Sequence, residues 1–516
     1  MPLPGVTLEV APRPQAVDPL RTDVAVFLGR TRRGPVGMPW RVSGWTEFQH
    51  VFGGPDAGLP APQAVRGYFE NGGEVAWFVR AGRPAGESSP TGHAVAGWDP
   101  GSEDASLRPI FGDRTFTLAA ASPGTWAHGL EADIVFLAAG ATGRPEVTVE
   151  VRVPGEQPEV YAHVPPQELV DALSGSALVR LLPDEPREPS EPVRPPAAGA
   201  ARRSASWHLV LSGGEDPTYD LSSLLSAAEA AEDLEEPALV LLPDADVLSP
   251  ADRAELLDTV ATGAAHSQDR LVLVDIPQQL SAEEAAGWVR ELRERWQDRP
   301  ALLRAAAVHH PPLRVRDPLG AGAVRPGPVP CCGHVAGVIS RTDRALGPHH
   351  TAVGPLMDAV DVAAPLTVRQ YELLFEEQVN LVRCAPGRGL VTWGGRTLAA
   401  PGPGGYVAHR RLLHRLVRVI RRVAAPLVFE SNGPQLRLVL VRGVVSALVT
   451  TYEAGALAGA RPEEAFQVRC DDGLNPLDGD PGQVLCEVAF APATPMEFIR
   501  LLLVAGRDRE LEVIEG

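Results

Sequence analysis

A multi-domain α/β (α+β) fold is predicted by three observations. Apolar strands alternate with helices over 206–345, a Gly-, Ser- and Pro-rich break with β-like runs fills 81–205, and short alternating strands stand at the two chain ends. At 516 residues the chain exceeds what one hydrophobic core usually serves, so two or three domains are expected.

Residues 1–20 read as an arm. Val6, Leu8 and Val10 alternate with Thr7 and Glu9, and the proline-rich APRPQAVDP that follows cannot continue a sheet. So short a strand must pair with something, in its own chain or another. Residues 21–80 read as compact α/β: a strand in DVAVFLGR, a helix in SGWTEFQHVFG capped by Ser43, a second helix in APQAVRGYFENGG, and a buried strand in EVAWFVRA. Residues 81–205 form a β-rich insert, carried by RTFTLAAA, ADIVFLAAG and PEVTVEVRV. Its exit, 183–204, holds six prolines and mixed charge and reads as a solvated linker or disordered loop. Over 206–345, WHLVLSGGEDP, PALVLLPDAD, DRLVLVDIP and ALLRAAAVHHP are strands. Between them lie helices around 220–232, in SPADRAELLDTVATGAA and in SAEEAAGWVRELRERWQ, which implies a sheet covered on both faces. Residues 346–505 continue with a helix in TVRQYELLFEEQ, a strand pair in GLVTWGGRTLA, a long helix over 406–424, a helix in QLRLVLVRGVVSALVTTYEAGAL, and antiparallel-type strands in EAFQVRC and GQVLCEVAFAP. The chain closes with PMEFIRLLLVAG and a short terminal strand over 506–516.

Composition excludes several chemistries. A hydrophobic fraction of 44% with 22% charged residues is that of a globular chain, and the net charge of -18 argues against general nucleic-acid binding. All 47 basic residues are arginine, so a P-loop, Schiff-base or kinase-type lysine is excluded. No apolar run approaches the roughly 18 residues of a bilayer span, and Met1 to Val10 lack the pattern of a signal peptide. A protein assembled in the cytoplasm and released by lysis is the expectation. The five cysteines show neither a disulfide framework nor a C-x-x-C spacing. Cys331-Cys332 with nearby His334 is a metal or redox candidate that needs further ligands, and ordinary thiols are the simpler explanation.

No G-x-G-x-x-G follows a strand and no Walker A motif occurs. Asp244, Asp246 and Asp275 stand at strand ends, where open α/β sheets bind ligands, so a metal-dependent hydrolase is one alternative; turn and helix capping is the plainer role. His309-His310 and His349-His350 are neighbours that point different ways on a strand. More informative is the helix between Tyr406 and Pro426. It carries Arg410, Arg411, Arg415, Arg418, Arg421 and Arg422 with no acidic residue, beside an apolar stripe of Leu412, Leu413, Leu416, Val417, Ile420 and Val423. Docking onto an acidic partner surface or a solvated face both fit it.

The motifs PGVTLEV, TDVAVFLGRTRRGPVGMPWRVSGWTEFQHVFGG, AVRGYFENGGEVAWFVR, SPGTWAHGLEADIV with its turn at Pro123 to Trp126, and LSGGEDP stand in one order. So do VNLVRCAPGRGLVTWGGRTLA, YVAHRRLLHRLVRVI, VFESNGPQLRLVLVRGV, GALAGARPEEAFQVRCD and FAPATPMEFIRLLL. Together they resemble the tail sheath family of contractile phages, pyocins and extracellular injection systems over nearly the whole chain. The resemblance implies a non-enzymatic structural subunit with no cofactor and no metal. It implies an inner α/β sheath domain built from N- and C-terminal parts, an outward β-rich insert, and terminal arms that add strands to neighbouring subunits by β-augmentation. Val6, Leu8, Val10, Leu511, Val513 and Ile514 would be the arm strands, and the basic helix would face an inner tube. Implied partners are further copies of itself, the tube protein, and baseplate and cap proteins, with no nucleic acid and no membrane insertion. Around RALGPHHTAVGPL, His349-His350 and Val353 stand where the family usually has a Trp and a Pro-Ala-Asn stretch. A main sheath and a sheath-like paralogue at the baseplate or cap therefore both remain open. If the basic helix faces the tube, reversing Arg411, Arg415 and Arg418 to Glu is expected to weaken tube loading without unfolding, as judged by particle microscopy and circular dichroism.

Overall fold

The structure, a computed structural model, describes residues 20–56, 58–83, 93–100, 111, 115–138, 144–183, 204–317, 324, 327–402, 404–428, 430, 432–476, 483–493, 499–506 and 509–515. The N-terminal arm and nearly all of the proline-rich 183–204 lie outside the described residues.

The first stretch gives β1 (Ala25–Gly29), β2 (Pro39–Val42), α1 (Trp45–Phe52), α2 (Pro60–Glu70) and β3 (Ala76–Arg80). Ser43 does not cap α1. The N-cap is Gly44, and the Glu47 carboxylate reaches back to accept the Ser43 N–H at 2.7 Å. The insert supplies β4 (Val95–Trp98), β5 (Phe116–Ala120), β6 (Glu131–Leu137), β7 (Glu146–Arg152), β8 (Glu159–Val164), α3 (Leu169–Ser174), β9 (Val179–Pro183) and β10 (Ser204–Val210). Two sheets, ordered β10-β6-β7-β8 and β4-β5-β9, share one core that includes Trp98, Phe116, Phe136, Val149 and Trp207. Strand β10 pairs antiparallel with β6 along its whole length, so the expected boundary at 205 falls inside an insert strand.

The central stretch gives α4 (Leu221–Glu232), β11 (Leu239–Leu241), α5 (Pro250–Ser267), β12 (Leu271–Asp275), α6 (Ala282–Arg295), α7 (Pro300–Ala305), β13 (Ala306–His310), β14 (Leu313–Val315), α8 (Cys332–Leu346), β15 (Ala359–Val362), α9 (Val368–Glu376), β16 (Asn380–Ala385) and β17 (Gly389–Trp393). Asp220, Ser281 and Thr367 each close a capping box, which explains why α4, α6 and α9 start where they do. Helix α8 was not expected. Its CGHVAGV start lacks a capping side chain, and its glycines exist for packing: a Cβ on Gly333 would lie 2.2 Å from the Ala64 carbonyl of α2.

These elements build one sheet, ordered β17-β16-β13-β12-β11-β1-β3-β2, parallel from β16 to β3 with an antiparallel strand at each edge. Residues 21–80, 206–345 and the start of 346–505 therefore share a single domain. Strand residues alternate between its two faces. Val26, Val240, Val272 and Val308 meet the core of α4 to α7 and α9, while Phe27, Leu239, Leu271 and Ala307 meet that of α2 and α8.

Four motifs noted in sequence meet at the insert's base. Thr125 of the Pro-Gly-Thr-Trp turn donates its N–H at 2.8 Å to Asp216 of the Gly-Gly-Glu-Asp turn. Arg80, at the end of β3, donates to the carbonyls of Thr31, Arg32, Gly34 and Pro123, and burial lowers its pKa to about 10.

His309, His310 and His334 are buried, and burial pulls each down to about 4 from 6.5. Their neutral forms belong to the fold, so their contribution is complete above pH 6.5 and is lost as pH falls toward 4. Asp244 and Asp275 are raised by burial to about 6 and oppose the trend below that value. His349, His409 and His414 are lowered and Asp343 and Asp358 raised by burial in the same way, so histidines outnumber carboxyls, and stability should fall by about 1.4 kcal/mol or more per pH unit between about pH 6 and pH 4. Urea midpoints at about pH 7 and about pH 5 check this; equal midpoints would contradict the assignment.

Candidate assembly interface

The C-terminal unit contains α10 (Val407–Ala424), α11 (Pro434–Glu453), α12 (Pro462–Ala465), β18 (Phe466–Arg469), β19 (Gln483–Phe490), β20 (Ile499–Gly506) and β21 (Arg509–Glu515). The strands form an antiparallel sheet in that order. Alternation in β19 sends Val484, Cys486, Val488 and Phe490 into a core shared with Leu412, Leu416 and Ile420 of α10 and Leu440, Val444 and Leu448 of α11. Strand β18 covers only the second half of β19. Beside the first half, the Asn475 side chain accepts from the Leu485 N–H at 2.7 Å and donates to its carbonyl at 2.9 Å, standing in for a strand. Sequence patterning missed Asn475, because an asparagine after a strand reads as turn chemistry.

The terminal strand was expected to complete a neighbour's sheet. In the single chain β21 instead pairs with its own β20, with Val513 opposite Leu503 and Ile514 opposite Leu502. Leu511 lies in the same strand. The long strand β20 presents a ladder that must be filled, and the chain's own end reaches it. Val6, Leu8 and Val10 lie outside the described residues.

The basic helix is largely internal, which corrects the expectation of an outward arginine face and, with it, the expectation that Arg411 and Arg418 can be reversed to Glu without unfolding. Arg410, Arg411 and Arg418 are buried. Arg411 pairs with buried Asp343 of α8 and donates to the Thr22 carbonyl at 2.6 Å. Arg418 donates to the carbonyls of Arg21 (2.9 Å), Glu236 (3.0 Å) and Pro237, and burial lowers its pKa to about 10. Arg421 reaches Asp269 at 3.5 Å. The acceptors stand just before β1, β11 and β12, so α10 docks on the N-terminal edge of the central sheet. Its acidic partners are in its own chain. Buried among these guanidinium groups, His414 is held well below 6.5 by desolvation and by Arg410, Arg418, Arg411 and Arg270. Of the six arginines, Arg415 is half-buried and Arg422 exposed.

Helix α11 lies outside α10. By length and composition it is long and apolar enough to cross a bilayer, contrary to expectation, although Arg437 and Arg442 interrupt it. Its Leu440, Val444, Leu448 and Thr451 pack inward, while Leu438 and Val439 are exposed.

The alternative catalytic carboxylates have structural roles. Asp244 is fully buried and accepts from the Arg30 N–H at 2.5 Å. Asp275 accepts from the Cys332 N–H at 3.0 Å, at the start of α8. Asp246 pairs with Arg253 at 3.0 Å and accepts from the Gln278 N–H at 3.2 Å. They do not converge on one point. The metal-type grouping among the described residues is Asp275 with Cys331 and Cys332, whose ligand atoms lie within 4.8 Å of one another. Burial keeps the Cys332 thiol well above its ordinary range and thus protonated. His334 packs instead against Gly67 of α2. A 430 Å³ cavity beyond β12 and β13 is lined by Gln278, Leu280, His310, Pro312 and Arg314 among others.

The architecture is that of the tail sheath proteins. A sheath tail protein from Listeria innocua superposes with a TM-score of 0.63 at 10% identity, covering 95% of this chain and 96% of that one. The anti-feeding prophage helical sheath in its contracted state gives 0.52 at 18%, covering 97% and 98%. A chain of the anti-feeding prophage baseplate gives 0.53 at 18%, covering 97% and 98%. No protein-family model matches the chain, and no curated protein matches it.

The geometry separates the arginines by function. Arg411→Ala leaves Asp343 buried without its cation and should cost about 3–5 kcal/mol, whereas exposed Arg422→Glu should stay within about 0.5 kcal/mol. Denaturant unfolding of both variants provides the comparison, and equal effects would contradict the docking geometry.

Proposed function

We propose that this chain is a structural subunit of a contractile sheath, polymerising helically around an inner tube and contracting to drive that tube into a target. The observation that carries the proposal is likeness to sheath structures along nearly the full length of both partners, insert and terminal sheet included. A domain-sized likeness would support only a shared module.

The terminal sheet supplies the linkage. Residues 1–20 and 506–516 act as arms, with Val6, Leu8 and Val10 at one end and Leu511, Val513 and Ile514 at the other. In a lattice, β21 leaves its own β20 for the same ladder of a neighbour. The exchange replaces like hydrogen bonds with like, so it is nearly neutral per strand. Each backbone bond nets only about 0.5–1.5 kcal/mol, and repetition over many subunits supplies the strength. Head-to-tail exchange that does not close on itself gives a helical filament. Partners are further copies of this chain, a tube protein, and baseplate and cap proteins, with assembly in the cytoplasm and release by lysis; no enzymatic step is involved. The tube-facing role narrows to Arg415 and Arg422, since the other arginines of α10 are engaged inside the chain. A second reading, a sheath-like subunit at the baseplate end, is favoured by the similarity to a baseplate chain.

Deleting residues 1–12 should leave a folded monomer that forms no tube-clad particles in negative-stain electron microscopy; normal particles would refute the arm role. Short collars at one particle end, instead of full-length cladding by the intact chain, would select the baseplate reading. The double change Arg415→Glu with Arg422→Glu should reduce tube loading with an unchanged unfolding midpoint, and undiminished loading would remove the tube-facing role.

A further inference from the structure

We propose that Cys470 and Cys486 are a thiol pair built to close into a cross-strand disulfide, a covalent staple in the terminal sheet. The register places them. Strands β18 and β19 pair antiparallel from Phe466 opposite Phe490 to Arg469 opposite Glu487, so the next step of the ladder sets Cys470 opposite Cys486. Directly opposed residues have Cα atoms about 4.5–5.5 Å apart, within the range a disulfide spans. Alternation puts both side chains on one face. Phe466 and Val468 precede Cys470 on the inward side, and Phe490 and Val488 stand with Cys486 in the same core. The two thiols thus face each other across the ladder.

Their environments differ in the way an attacking and a resolving thiol require. Cys470 is half-buried at the end of its strand, and the Asn475 side-chain amide lies 3.9 Å from its sulfur. The neighbouring Cys486 thiol, the nearby Arg437 guanidinium and the Asn475 amide favour its thiolate and lower its pKa. Cys486 is fully buried, and the neighbouring Cys470 together with burial keeps it protonated. Asn475 therefore holds Leu485 of β19 and the Cys470 sulfur at once, fixing one cysteine against the strand that carries the other. The remaining cysteines lack this arrangement. Cys331 and Cys332 are adjacent and buried at a helix start, and Cys384 is exposed on β16.

The chemistry needs an oxidant, here a small-molecule disulfide such as oxidised glutathione. The Cys470 thiolate attacks one sulfur of that disulfide, breaking its S–S bond, expelling one small thiolate and leaving a mixed disulfide on Cys470. Cys486 then attacks the Cys470 sulfur and releases the second small thiol. Its proton passes to the expelled thiolate. Two protein thiols are oxidised and one external disulfide is reduced to two thiols. On the sheath reading, from which this consequence alone derives, the staple closes after release from a reducing cytoplasm and locks the sheet that links subunits. The pairing itself follows from the chain's own register and survives failure of that reading.

The test equilibrates the purified full-length chain with oxidised glutathione, blocks free thiols with iodoacetamide, and maps peptides without reduction. Loss of two of the five thiols, and a peptide joining Cys470 to Cys486 within one chain, is the expected result. Asn475→Ala should slow closure, and Cys470→Ser should abolish it while leaving the fold's circular dichroism unchanged. Full alkylation of both cysteines after oxidation of the folded chain would overturn the proposal, as would a Cys486 link to any other cysteine. Because the readout is a covalent link in the single chain, it is independent of whether particles form.

Discussion

Buried arginine–carbonyl clamping along α10 is the interaction that holds this molecule together. A parallel sheet leaves a row of carbonyls on the segments that feed its strands, and here Arg21, Thr22, Glu236 and Pro237 present them toward one helix. A guanidinium offers five donors in a planar fork, so one side chain satisfies several carbonyls without a second charge. Arg418 does this alone, and Arg411 divides its donors between the Thr22 carbonyl and the Asp343 carboxylate. Arg270 extends the pattern to the carbonyls of Ala231 and Leu234. The opposite, apolar face of α10 forms the core of the terminal unit. One helix thus joins the central domain to the sheet through which assembly is proposed to run.

That placement has a mechanical consequence. Force applied to the terminal sheet passes into α10 and then into the strand-feeding segments of β1, β11 and β12, where the hydrogen bonds are buried or part-buried and costly to break. The insert is tied on differently, through Arg80 beneath the Pro123 turn, the Thr125–Asp216 contact, the Gly34 N–H donated to Ser122 at 2.8 Å and the buried Arg33 guanidinium paired with Glu156 at 2.8 Å. Its two sheets enclose a core of their own. The strand proposed for exchange, β21, lies at the outer edge of the terminal sheet, the position from which a strand can leave with the fewest other contacts broken.

Legibility in the sequence followed the range of the interactions. The strands of β1, β3, β12 and β13 and the helices begun by Asp220, Ser281 and Thr367 were readable, because alternation and capping act within a few residues. Helix α8 was not, since its glycines answer to α2, more than two hundred residues away. Asp275, which accepts an N–H at the start of α8, matched the plainer expectation for a strand-end aspartate, although that helix lies 57 residues along the chain. The arginines of α10 were visible as a cluster and misjudged in direction. A basic stripe in an acidic chain looks like a surface until its acceptors are located, and those acceptors are 68 to 397 residues away.

By itself the sequence determined the α/β character, the apolar strands and helix starts, the order of the sheath-like motifs, and the absence of lysine chemistry. Each is a property of local patterning or of composition. Only the tertiary structure decided that three chain segments share one eight-stranded sheet, that β10 belongs to the insert, that the arginine helix is a buried strut, and that Cys470 faces Cys486. These depend on which distant groups meet, and partner choice between remote segments is set by packing and hydrogen-bond satisfaction across the whole fold, which no short stretch encodes.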